Sequence, residues 1–245
     1  IKSKTRNLMK RFSSYIFLGF MVVLMVGSYW FSQYKNQART VSEIEINFTS
    51  PALLLAPLLV NKLLTQNLDQ QSKKNKESLD LNMLEAQLKR TPEIKNAEVF
   101  KLPQGGLSVE VTERKPLFIV ESDPPYFGDE EGILFKYKTI DSLSFPVFKK
   151  NSIDSSLSLS AALISRLKKD PLLASELEVI SLEDNHYTLE LRSFPFKVIL
   201  GDASQLNEKL EKLKVFCAFQ LNQDSLKGYD KINLSYDKQV VATTL

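Results

Sequence analysis

Cys217 and His186 are the only cysteine and the only histidine in this chain, and they limit the chemistry open to it. A Cys–His nucleophile would need the two side chains to meet, with an exposed thiolate beside its base. Cys217 instead shares a helical face with Leu206, Leu210 and Leu213, and reads as a small core residue. His186 alternates with the apolar side chains of a strand pattern and reads as a surface or rim residue. A Ser-His-Asp arrangement would also have to use His186, and there is no Gly-x-Ser-x-Gly elbow. With only eight glycines, neither a phosphate loop nor a dinucleotide-binding pattern is present. Asp129, Glu130 and Glu131 lack the spacing of a calcium loop and read as an acidic hairpin turn. The residues therefore point to no metal, no cofactor and no catalytic group, and a lone cysteine allows no intramolecular disulfide. The one enzymatic reading left is a hydrolase built on carboxylates alone.

Charge excludes a second class. The chain has 32 basic and 29 acidic residues, a formal net charge of +3. Five of the basic ones, Lys2, Lys4, Arg6, Lys10 and Arg11, crowd into the first eleven positions, and the remainder carries 27 against 29. A nucleic-acid binder needs a basic stripe on its folded part, and none is visible.

Residues 12–34 contain no charge, and Ile16 to Val26 is almost wholly apolar. Twenty-three residues at about 1.5 Å each make a helix of roughly 35 Å, so a single transmembrane helix is expected here. The basic tail, 1–11, is then expected in the cytoplasm and the rest outside. The run is too long for a signal peptide, and it ends in the bulky Tyr29-Trp30-Phe31 rather than a small-residue cleavage site.

Beyond it, the spacing predicts a strand over 41–48, a helix from Pro57 to about Gln66 and a lysine-rich loop over 66–78. A second helix follows, capped by Asp80 and carrying Leu81, Leu84 and Leu88 on one face. Strands over 97–102 and 107–112 make a hairpin. Short strands are expected at 118–120 and 143–148, and a helix over 160–169 stopped near Pro171. A second hairpin turns at Asp184-Asn185, a strand covers 196–200, and the clearest helix covers 203–221. Tyr229 to Asp237 alternates as a strand, and a β-branched terminal segment, 238–244, follows it.

Three stretches carry a resemblance. The first runs Asp80-Leu81-Asn82-Met83-Leu84-Glu85-Ala86-Gln87-Leu88, then Pro92-x-Ile94-x-x-Ala97-x-Val99. The second is Leu107-Ser108-Val109-Glu110-Val111-Thr112-Glu113-Arg114-Lys115-Pro116, with Tyr126-Phe127-Gly128-Asp129 beyond it. The third is Asn233-Leu234-Ser235-Tyr236-Asp237-x-Gln239-Val240-Val241. Their order and spacing resemble the FtsQ/DivIB family of bacterial division proteins.

The resemblance implies an α+β chain: a POTRA domain (β-α-α-β-β) over 35–116, then a mostly antiparallel β domain with flanking helices over 117–245. It implies a non-enzymatic divisome scaffold in the inner membrane, with its C-terminal domains in the periplasm at the septum. Its partners would be FtsB- and FtsL-like single-pass proteins, and through them FtsW and FtsI. In the family a partner adds a strand to the last strand of the β domain. Carried onto this chain, the contacts are Tyr236, Lys238, Val240, Val241, Ala242 and Thr243. The other readings are a closing strand with no partner, and a POTRA binding module or carboxylate-based hydrolase of another envelope assembly.

Overall fold

The computed structural model describes residues 17–32, 44–72, 80–103, 106–140, 143–150, 157–222 and 228–244. The basic tail, both ends of the expected spanning segment and residues 73–78 of the lysine-rich loop lie outside them. Two compact units emerge. The first is formed by residues 1–49, 56–88 and 97–111, the second by 50–55, 89–96 and 112–245.

Helix α1 covers residues 17–32. Among the described residues no helix is long and apolar enough to cross a membrane. The expected transmembrane helix over 12–34 is thereby overturned, and the fold class is α+β with mixed sheets.

The first unit builds on β1 (Ile44–Phe48), α2 (Pro57–Ser72) and α3 (Leu81–Leu88). With them come β2 (Ile94–Lys101) and β3 (Leu107–Glu113), of which residues 94–96 and 112–113 belong to the second unit. The sheet order is β1-β3-β2, and β1 runs parallel to β3 with Ile46 opposite Val109. A parallel partner cannot be reached by a tight turn, so the two helices supply the crossover. Pro57 opens α2, where its missing N–H costs nothing. The helix then runs on to Ser72, past the expected stop at Gln66, because no glycine or proline interrupts 66–72. Among the described side chains Val60 and Leu64 are fully buried, whereas Leu59, expected inside, is exposed. Asp80 caps α3 by accepting the Met83 N–H at 3.2 Å, and Leu84 and Leu88 are buried as their spacing requires.

Among the described residues the second unit holds a nine-stranded mixed sheet and three helices. In chain order it comprises β4 (Phe118–Val120), β5 (Tyr126–Gly128), β6 (Leu134–Lys136) and β7 (Val147–Lys150). Helices α4 (Ser158–Lys169) and α5 (Pro171–Glu176) follow. Then come β8 (Leu177–Glu183), β9 (His186–Leu191), β10 (Phe194–Gly201), α6 (Leu206–Leu221), β11 (Lys231–Asn233) and β12 (Val241–Thr243). The strand order is β12-β11-β10-β9-β8-β7-β4-β5-β6.

One row of cross-strand partners explains the core. Val120, Phe148, Ile180, Leu189, Val198 and Ile232 stand opposite one another in sequence across six strands, each 1% exposed or less. Because side chains alternate along a strand, all six lie on one face. There they join a single apolar cluster with Ile164 and Leu167 of α4, Leu173 of α5, and Leu210, Leu213 and Cys217 of α6. The next residues point the other way and are half-exposed or exposed, with Lys197 and Glu190 ion-paired at 2.9 Å across β10 and β9.

Two further local features differ from expectation. Pro171 starts α5 instead of merely stopping α4: Asp170 caps it by accepting the Leu172 and Leu173 N–H groups, and Pro171 sits in its first turn. The strand β6 has no counterpart in the periodicity, since three residues are too few to show a period.

Candidate partner-binding edge

The sheet ends at β12, which has β11 on one side and no strand on the other among the described residues. Its formation starts at β10. Gly201 closes that strand with φ +73, and a Cβ there would meet the Ser235 Cβ at 3.0 Å. β11 lies parallel to β10, with Val198 opposite Ile232, and α6 provides the crossover between them.

Asn233 then shapes the reversal. Its Oδ1 accepts the Ser235 backbone N–H at 2.9 Å and the Ser235 hydroxyl at 2.6 Å. Lys238 adopts φ 58 in the turn, and the chain returns antiparallel with Asn233 opposite Val241 and Lys231 opposite Thr243. The Thr243 carbonyl accepts the Asp230 N–H at 2.8 Å.

Two lysines of α6 hold this end of the sheet. Lys212 Nζ donates to the Tyr236 carbonyl at 2.9 Å. Lys209, only 3% exposed, donates to both the carbonyl and the carboxylate of Asp202. That contact, with the Ser204 hydroxyl, holds the Asp202 carboxyl down to about 2. Neither lysine was marked by sequence reasoning, because a lysine on a soluble helix normally signals only solvent. The available signal was position: Lys209 sits between Leu206 and Leu213, on the apolar face of α6.

The residues expected at the edge fall in three places. Val241, Ala242 and Thr243 form β12 itself, and Ala242 stands opposite Ile232. Val240 packs against the core from just before the strand. Tyr236 and Lys238 lie in the turn, not on the strand, so the continuous strand expected over 229–237 is replaced by the short β11 and a reversal. Tyr236 is 48% and Val241 40% exposed. An edge of this kind presents backbone N–H and C=O groups that a further strand could pair.

The candidate chemical residues are elsewhere. Cys217 is buried and far from ordinary thiol acidity, its pKa pushed up to about 12 by burial. His186 is exposed at the β8–β9 turn, where its Nδ1 lies 2.7 Å from the Asp184 carbonyl. Asp129 organises the acidic turn: its Oδ1 accepts the N–H groups of Glu131 and Ile133 at 3.0 and 2.8 Å. Arg114 bridges Asp129 and Glu131, and Lys95 pairs with Glu130 and Glu131. Those hydrogen bonds, the one from Arg114 foremost, lower the Glu131 carboxyl below its usual range.

The fold is an α+β one: a mixed sheet with helices on one face, ending among the described residues at β12. The chain belongs to the FtsQ/DivIB family of cell division proteins: the family model for the FtsQ/DivIB, C-terminal related domain matches residues 115–243. That match spans β4 to β12. Comparison with curated proteins found no matching relative.

Proposed function

We propose that this chain is a non-catalytic scaffold of the divisome, acting at the division septum on the extracytoplasmic side of the inner membrane. Its partner is an FtsB-like protein paired with an FtsL-like one, and that pair links it to FtsW, FtsI and septal peptidoglycan synthesis. The partner adds a strand antiparallel or parallel to β12, where main-chain hydrogen bonds give affinity and alternate side chains give register. Val241, Ala242 and Thr243 supply the strand, and Tyr236, Lys238 and Val240 flank it. Residues 35–116 act as a POTRA domain and 117–245 as the β domain.

One observation carries the reading: β12 is the terminal strand of a nine-stranded sheet and has an unoccupied side among the described residues. Folded proteins blunt such edges with charge, proline or a covering element, and Val241-Ala242-Thr243 has none of these within it.

The test is binding of the full chain to the purified FtsB–FtsL-like pair, compared with Ala242→Pro, because Val241 and Thr243 pair with Asn233 and Lys231 of β11 and the Ala242 N–H faces the open side. Proline removes an N–H and cannot continue the ladder. Loss of binding with an unchanged melting temperature supports strand addition at β12. Equal binding by both proteins moves the interface elsewhere, and no binding by either removes the proposed partner.

A further inference from the structure

Residues 50–55, which join β1 to α2 in the chain, belong to the second unit. They are gripped there in three ways. The Glu113 carboxylate, at the end of β3 and 5% exposed, accepts the N–H groups of Leu53 and Leu54 at 2.7 Å each. It accepts the Leu55 N–H as well. From the other direction, Lys138 Nζ donates to the Leu54 carbonyl at 2.6 Å. The Leu54 side chain is 4% exposed and clusters with Phe127 and Phe135, with Ile119, Tyr137 and Phe145 packed around them.

This grip differs from that of an ordinary surface connection, whose amides can be hydrated. A buried carboxylate is costly unless hydrogen-bonded, and here three consecutive amides satisfy it. The arrangement is cooperative, because neutralising the carboxylate weakens all three bonds together. The receiving surface is held independently. Phe127 pairs with Phe135 in the β5–β6 register, and Arg114 braces the adjoining turn through Asp129 and Glu131.

We propose that residues 50–55 form a strap that opens and closes as one piece over the Phe127–Phe135 face, with Glu113 as its clasp and Leu54 as its plug. Closed, the strap covers the aromatic cluster. Open, it exposes that cluster while the β8–β9–β10 meander and the α6 core remain folded.

Hydrogen exchange followed by mass spectrometry on the full chain tests this, comparing the native protein with Glu113→Gln. Glutamine keeps the shape but loses the charge and places an NH2 group where one of the accepting oxygens stands. Peptides covering 50–55 should exchange at least about tenfold faster in the variant, with those covering 177–201 unchanged, as for a local opening. Unchanged exchange at 50–55 overturns the strap, and so does equal acceleration throughout the chain. Native amides at 53–55 exchanging at unprotected rates would overturn it as well. Should Glu113→Gln fail to fold, Lys138→Met decides: it removes only the bond to the Leu54 carbonyl and should speed the same peptides roughly threefold. No local change there refutes the proposal.

Discussion

Lys212 of α6 reaches across to the Tyr236 carbonyl at 2.9 Å, so a helix side chain holds the turn that delivers β12 to the sheet edge. The bond lies outside the apolar core, which makes it separable from global stability. Lys212→Met should leave the unfolding free energy within about 0.5 kcal/mol of the native value, as for surface changes generally. Affinity for an edge-binding partner should fall about two- to tenfold, the cost of ordering a looser turn on binding. Calorimetric unfolding and titration with the FtsB–FtsL-like pair measure the two quantities side by side.

Gly128 and Phe118 form a second dependent pair. A Cβ on Gly128 would lie 2.3 Å from the Phe118 ring, which is itself fully buried. Gly128→Ala should therefore destabilise by about 1–3 kcal/mol through overpacking. Combining it with Phe118→Leu should recover part of that loss, so the double variant is more stable than the sum of the singles predicts. Denaturant titrations of the four proteins test the coupling.

Asp202 makes a pH prediction. Its carboxyl is lowered to about 2, first by the hydrogen bond from Lys209 and then by Ser204. A carboxyl depressed in the folded state contributes stability above its unfolded pKa, and that contribution is lost as pH falls through the folded value. The melting-temperature gap between the native chain and Asp202→Asn should thus be constant above about pH 5 and shrink from about pH 4 to pH 2. A gap independent of pH over this range would contradict the assignment.

Cys217 supplies a probe of native order. It is 2% exposed, and burial pushes its thiol up to about 12. As the only cysteine, it should react with a thiol reagent only when α6 leaves the core. Labelling should track unfolding across a denaturant series, and rapid labelling of the native chain would show the core to be open there.

How much was legible in advance follows the range of the forces involved. Helix α3, its Asp80 cap, the β8–β9 hairpin and the buried face of α6 were all readable from residues close together in the chain. Asp184 and Asn185 take φ of 46 and 63 at the hairpin turn, a conformation such residues tolerate better than most. The extension of α2 past Gln66 and the start of α5 at Pro171 were missed for a different reason. Polar composition suggests a loop and proline a stop, although neither is a helix breaker in those positions.

The sequence by itself determined the family, the α+β composition and the buried faces of α3 and α6, because periodicity and capping act over a few residues. It also marked 238–244 as a β segment, though not that only Val241–Thr243 would pair. The tertiary structure decided the rest. The apolar run at 12–34 suggests a spanning helix from composition alone, whereas among the described residues no helix is long and apolar enough to cross a membrane. Parallel pairing of β10 with β11, the edge position of β12 and the seat of Glu113 on Leu53, Leu54 and Leu55 join residues tens of positions apart. A solvated glutamate and a clasping one have the same local pattern. What separates them is the set of amides that folding brings to the carboxylate, and no spacing in the chain encodes that.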